Sequence, residues 1–135
     1  HPLYKHAIQY SKWVNQFLRE TFQKKKVDPE IAEDYEILIW YYTLLPAKVH
    51  RFLCGLFAKN LSTSAEDMAI DLNLCDAVAQ MEICLKGIHG SQKAFRRIFS
   101  IKMEYRYAIA DLLESLHYLE SEIQKFLTDI DDGLF

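Results

Sequence analysis

Apolar residues recur along this chain at alternating intervals of four and three, the spacing that lines one face of a helix. Four such stripes appear. The first is Leu3, Ala7, Tyr10, Val14 and Phe17, with Leu18 and Phe22 on its shoulder. It ends in Lys24, Lys25 and Lys26, whose charges suit the negative end of a helix dipole. Asp28-Pro29 then restarts a helix: Asp28 as the cap, Pro29 in the first helical position, and Glu30, Glu33 and Asp34 near the positive end. The second stripe, Ile31, Tyr35, Leu38, Tyr42, Leu45, Val49, Phe52 and Leu56, predicts a helix from residue 30 to about residue 59. Its register passes through Pro46 without a slip, which predicts a kinked helix and not a broken one. Residues 60–64 read as a loop, and Thr63-Ser64-Ala65-Glu66 has the form of a capping box. The third stripe, Ile70, Leu74, Ala77, Met81, Cys84 and Ile88, fades at Gly87 and Gly90. Residues 91–100 then read either as an irregular connection or as a short helix. The fourth stripe is the cleanest: Tyr105, Ile109, Leu112, Leu116, Leu119, Ile123, Phe126 and Ile130. Four long helices with mainly short links predict an all-α, antiparallel four-helix bundle, one domain over residues 1–135, with no internal repeat.

The second helix carries a further apolar face. Ile37, Trp40, Leu44, Ala47 and Cys54 fall away from its main stripe, interrupted by Arg51, and Met68, Leu72, Cys75 and Ala79 lie behind the core positions of the third. An ordinary surface helix buries one stripe, so a second stripe implies that its back is covered too. Paired as an antiparallel hairpin, the two helices are expected to bring Cys54 near Met68, Ala47 near Cys75 and Leu44 near Ala79. One possible cover lies within the monomer, from residues 91–100 or from the chain end Gly133-Leu134-Phe135. Another is a second copy, which makes Ile37, Trp40, Leu44, Ala47, Cys54, Met68, Leu72 and Cys75 the interface of a homodimer or higher homo-oligomer. The third is a ligand or a different protein.

Composition supports the helical class and names no partner. Half of the 135 residues are hydrophobic, with eight Tyr and eight Phe but only four Gly and three Pro, too little turn chemistry for an all-β chain. A chain of this length can bury a real core. The net charge of -3 points neither to a polybasic nor to an acidic binding protein. Cys54, Cys75 and Cys84 are too few and too odd in number for a disulfide framework and read as packed thiols. With no apolar run near membrane-span length and no signal-peptide pattern at His1-Pro2-Leu3-Tyr4-Lys5, the expectation is a soluble cytoplasmic protein without a membrane partner.

Candidate chemistry is sparse. Glu114-Ser115-Leu116-His117 has the Glu-x-x-His spacing of di-iron bundle proteins, but Leu112, Leu116 and Leu119 define the inward face. That turns Glu114 nearly opposite, and with no second such pair no metal is expected. Lys86-Gly87-Ile88-His89-Gly90 resembles the phosphate-accepting segment of histidine phosphotransfer domains, which are four-helix bundles of this size. The resemblance implies His89 as phosphoryl acceptor; the family's order sets His before the Lys-Gly pair, where this chain has Ile83 and Cys84. The alternative is a helix C-terminus, with His89 near the last carbonyls and Gly90 as its left-handed cap.

Lys93, Arg96, Arg97, Lys102 and Arg106 face Glu104 alone, a local +4 that leaves -7 for the rest of the chain. Interleaved with Phe95, Phe99 and Tyr105, they suggest a nucleic-acid surface, a solvated face or an answer to the acidic residues 28–36. Lys48, His50 and Arg51 follow the proline as an anion or small-ligand candidate, against a solvated flank. His6 falls beside Tyr10 and Trp13 as a hydrogen-bonded packed histidine. The whole reads as a non-enzymatic interaction protein that self-associates through helices two and three, with no catalytic residues and no cofactor.

Overall fold

The computed structural model describes residues 1–24, 28–57 and 64–135, of which 22–24 and 64–71 are described as helix backbone alone. Four helices, α1 (Pro2–Lys24), α2 (Ala32–Leu56), α3 (Ser64–Ile101) and α4 (Arg106–Asp131), pack into an all-α bundle, with a short 3-10 turn, Met103–Tyr105, before the last. Cross-helix contacts fix an antiparallel order around the bundle. Tyr4 packs against His50 at one end of α1 and α2, and the Tyr42 hydroxyl donates to Asn15 Oδ1 further along. Arg51 meets Asp76 between α2 and α3, His89 meets Glu120 between α3 and α4, and Phe17 meets Tyr105 across α1 and the start of α4. Of the neighbouring pairs, α2 and α3 share the broadest contact and α1 and α4 the narrowest.

The stripes on α1, α2 and α4 are buried: Leu3, Ala7, Tyr10 and Val14 from the first; Leu38, Val49 and Phe52 from the second; Ile109, Leu116, Leu119 and Ile123 from the last. α2 runs unbroken through Pro46, as its uninterrupted stripe requires. It begins at Ala32, two residues later than residue 30. The Asp28 carbonyl and carboxylate accept the amides of Ile31 and Glu30, closing a turn ahead of the helix. At its other end the regular helix runs to Leu56, with Phe57 as its C-cap donating its amide to the Leu53 carbonyl, and residues 58 and 59 of the expected span lie outside what the structure describes.

α3 differs most from expectation. Neither Gly87 nor Gly90 ends it; the helix runs 38 residues to Ile101 and absorbs residues 91–100. Ala94, Phe95 and Ile98 extend its buried face, and the missing apolar step is Ser91, buried and hydrogen-bonded to Tyr10. Gly87 serves packing: a Cβ there would meet Tyr41 Cδ1 at 2.8 Å, so α2 touches a bare backbone on α3, whereas a Cβ on Gly90 would make only ordinary contacts at 3.5 and 3.8 Å. The one left-handed glycine is Gly133, at φ 75°, which closes α4 through Gly133 and Leu134 amide bonds to the carbonyls of Ile130 and Asp129. The lysines at 25 and 26, residues 60–63 of the expected loop, the side chains of the residue 63–66 capping box and the Met68 side chain lie outside what the structure describes, and residue 64, expected in the loop, is the first of α3.

Candidate functional site

Along the outer side of α2, Glu33, Ile37, Trp40, Leu44, Ala47 and Arg51 follow one another at helical spacing, and none of them is buried. Trp40 stands 68% exposed at the middle of this stripe. Ile37 leans on α3, 3.8 Å from where a Gly90 Cβ would sit, and Leu44 is half-buried. Ala47, Cys54 and Cys75 are open to solvent, and Leu72 is 68% exposed.

The pairing with α3 differs from the predicted one. Gly55 lies against Asn73 and Ala77, while Tyr41 lies against Gly87. This sets Ala47 and Leu44 more than one helical turn further along α3 than Cys75 and Ala79. The shift comes from the glycines, which let the helices approach where periodicity alone assigns no contact. It brings up Ile83, half-exposed on the α3 edge that follows Asp76 and Gln80. Neither internal cover is realised. Residues 91–100 belong to α3, and Phe135 packs on Phe57 and Phe126 at the end of the bundle.

Arg51 interrupts the face without leaving a bare charge. Its Nε and Nη2 donate to the two oxygens of Asp76 at 3.0 and 2.9 Å, leaving Nη1 outside that fork. Lys48, His50 and Arg51 do not converge. His50 turns toward Tyr4 of α1, with Cys54 Sγ 3.6 Å from its Nε2, whereas Arg51 turns toward α3.

Two of the five cations of the basic run are answered by carboxylates of the same chain. Arg97 donates to Asp34, itself 5% exposed, and to the Glu30 carbonyl; Lys102 pairs with Asp28 at 3.2 Å. Arg106 lies over the ring of Tyr107, and Lys93 and Arg96 project to solvent. Phe95 is fully buried, and Phe99 and Tyr105 pack on the core, so these aromatics offer no open faces for stacking bases.

His89 lies in mid-helix, not at a terminus, with its Nε2 2.7 Å from Glu120 Oε2. Gly87 and Gly90 face Tyr41 and open no room beside the imidazole, and a carboxylate at that distance disfavours a phosphoryl group. Glu114 and His117 sit on different flanks of α4: Glu114 lines its α1 side, and His117 approaches Glu120. Among the described residues no group of acidic, His and Cys side chains is arranged to hold a metal. Cys84 is buried, and burial pushes its thiol up to about 12, so it stays protonated at neutral pH.

A second feature, which periodicity did not reveal, lies between α1 and α4. A groove of about 570 Å³ opens there, floored by Phe17, Leu112 and Ser115 and flanked by Trp13 and Tyr118. His6 closes one end, bonded to Ser115 Oγ at 2.9 Å and with its ring tilted against Tyr118, the ring centres 4.2 Å apart. It is the hydrogen-bonded, half-buried histidine expected at that position. The groove exists because Ala108 and Ser115 present small side chains to α1, and Phe17 turns inward onto Phe95 and Tyr105. Those small residues flank the leucine stripe of α4, a signal that gains meaning once α1 is known to lie beside it. No described helix is long and apolar enough to cross a membrane. Comparison of the chain with protein-family models, with curated proteins and with solved structures finds no match.

Proposed function

We propose that this chain is a non-enzymatic interaction module that pairs with a second copy of itself through the outer face of α2 and its border with α3. The observation that carries this reading is the exposure of Trp40 at the centre of a stripe that is complementary to its own reverse. An antiparallel copy centred near Tyr42 sets Trp40 against the partner's Leu44, Ile37 against the partner's Ala47, and Glu33 against the partner's Arg51. Two apolar steps therefore meet apolar steps, and at each end a carboxylate meets a guanidinium. This is the self-complementarity that a two-fold interface requires. Exposed Glu33 supplies the acceptor, and Arg51 keeps Nη1 free of Asp76 to reach it. Ile83 and Leu72 extend the apolar area beyond α2.

The test is mass in solution by light scattering. The account expects a particle of twice 15.9 kDa, reduced to the monomer by Trp40→Glu or Leu44→Glu with helicity retained. An unchanged mass in both variants would remove this face as the interface.

A further inference from the structure

The geometry points to the α1–α4 groove as a binding site for a small organic cation with an apolar body, of the aromatic or alkyl ammonium class. The site is independent of the α2 face. Three observations define the ligand. First, the volume of about 570 Å³ lies within the range of small-molecule sites, and the floor of Phe17 and Leu112 is apolar. Second, the walls are Trp13 and Tyr118, 43% and 40% exposed. Two exposed aromatic side chains flanking one cavity provide faces for a cation, the arrangement by which proteins hold quaternary ammonium groups. Third, the charged groups lining the groove are Glu20, Asp111 and Glu114, with no lysine or arginine among them.

Among the described residues no cationic side chain pairs with these carboxylates. Glu20 accepts a neutral amide bond from Gln16, and Asp111 and Glu114 are exposed on the rim. An anion would meet three like charges here, and a wholly apolar ligand would leave the rim unanswered. A cation with an apolar body satisfies both parts. Its body lies on Phe17 and Leu112 between the aromatic walls, and its charge faces Asp111 and Glu114. Ser115 is already held by His6, which fixes the far end of the groove and limits the length of the body it admits. No covalent step is involved.

The experiment uses the full chain carrying Trp40→Phe, which leaves Trp13 as its one tryptophan. Benzyltrimethylammonium is the probe, with benzyl alcohol and benzoate as neutral and anionic controls, followed by Trp13 fluorescence and by calorimetry. The expected result is saturable binding of the cation with a concurrent change in Trp13 emission. Binding of benzyl alcohol should be at least about tenfold weaker, and benzoate should show none. Asp111→Asn with Glu114→Gln should weaken the cation about tenfold or more while far-UV helicity stays unchanged. Ala108→Leu, at an exposed position, should fill the groove and abolish binding. The proposal is overturned by no saturable signal up to about 10 mM probe, a concentration at which even a weak millimolar site fills. It is equally overturned by equal affinity for cation and alcohol, or by undiminished binding in either variant. None of these readings depends on whether the chain is a dimer, so failure here leaves the α2 interface untouched, and the reverse also holds.

Discussion

Gly55 and Gly90 both lie in the seam between α2 and α3, yet they predict opposite outcomes when replaced by alanine. At Gly55 a Cβ would stand 2.8 Å from the backbone oxygen of Asn73 and 3.2 Å from Ala77 Cβ, and a helix backbone cannot give way cheaply. Gly55→Ala should therefore destabilise the bundle by about 1–3 kcal/mol, the usual cost of overpacking. At Gly90 the nearest atoms would be 3.5 and 3.8 Å away, ordinary contact, in the interior of a helix. Gly90→Ala should stabilise by about 0.5–1 kcal/mol through helix propensity. Urea titration of the two variants checks both signs; a destabilising Gly90→Ala would contradict a continuous α3. The thiols give a second test at this scale. In dilute solution Ellman's reagent should modify exposed Cys54 and Cys75 quickly, and Cys84 only once the chain unfolds. Fast modification of a third thiol in the native protein would mean that Cys84 is not in the core. Cys84 occupies a stripe position, so its burial could be read from sequence. The other two cysteines look equally apolar on paper, and their exposure depends on which sides of α2 and α3 the neighbours leave open.

At the scale of elements, the end of α3 and the residue after it are fastened to the start of α2 and the turn before it by two ion pairs, Arg97 with Asp34 and Lys102 with Asp28. Asp34 is buried, and Arg97 is the partner that the structure gives it. Arg97→Ala should cost about 1–3 kcal/mol, chiefly by leaving that acceptor unpaired, with a half-exposed guanidinium keeping the figure in the lower part of the range. Chemical denaturation measures it; a loss near zero would mean that water already satisfies Asp34. The Asp28 carboxyl is held below its ordinary 3.8 by the Glu30 amide first and by Lys102 next. A folded-state value below the unfolded one means that this contribution is complete above about pH 4. It is lost as pH falls through the lowered value. Asp28→Asn should therefore flatten the acid limb of a stability–pH profile, and an unchanged limb would show that the pair contributes nothing to it.

Much of this architecture was legible. The four stripes gave the number of helices, the core faces of α1, α2 and α4, and the continuity of α2 through Pro46. The full length of α3 was not legible because its core is completed by a polar residue. Ser91, paired with Tyr10, looks like a break in the pattern, and Gly87 and Gly90 look like a terminus when the first is a point of close helix contact and the second an ordinary mid-helix position. The acidic partner for Arg97 and Lys102 was among the readings of the basic run, since opposite charges of comparable size lay in the one chain.

For the whole molecule, the two candidate sites lie on opposite sides of the bundle: a carboxylate-rimmed aromatic groove between α1 and α4, and an apolar face on α2 and α3. The face was visible in the sequence because it repeats at helical spacing within one element. Its pairing with α3 was misassigned, since register is set by glycine contacts, and Ile83 was missed for the same reason. The groove was hidden because its α4 positions, Ala108, Asp111, Ser115 and Tyr118, though at helical spacing, are small or polar and read as a solvated flank, and Trp13 joins them only through the packing of α1 on α4. The central claim is that α2 pairs with itself in an antiparallel sense, and its charges make that claim separable from hydrophobic association in general. The most direct measurement is sedimentation velocity at roughly 100 μM, well above the dissociation constant of a micromolar dimer. The samples are wild type, Glu33→Arg, Arg51→Glu and an equimolar mixture of the two variants. Losing the exposed Arg51–Asp76 pair costs only about 0–1 kcal/mol, so both variants stay folded. The account predicts a wild-type dimer, two monomeric variants and a mixture that recovers the dimer, because each variant then supplies the charge that the other needs. A monomeric wild type, or a mixture that stays monomeric, would contradict it.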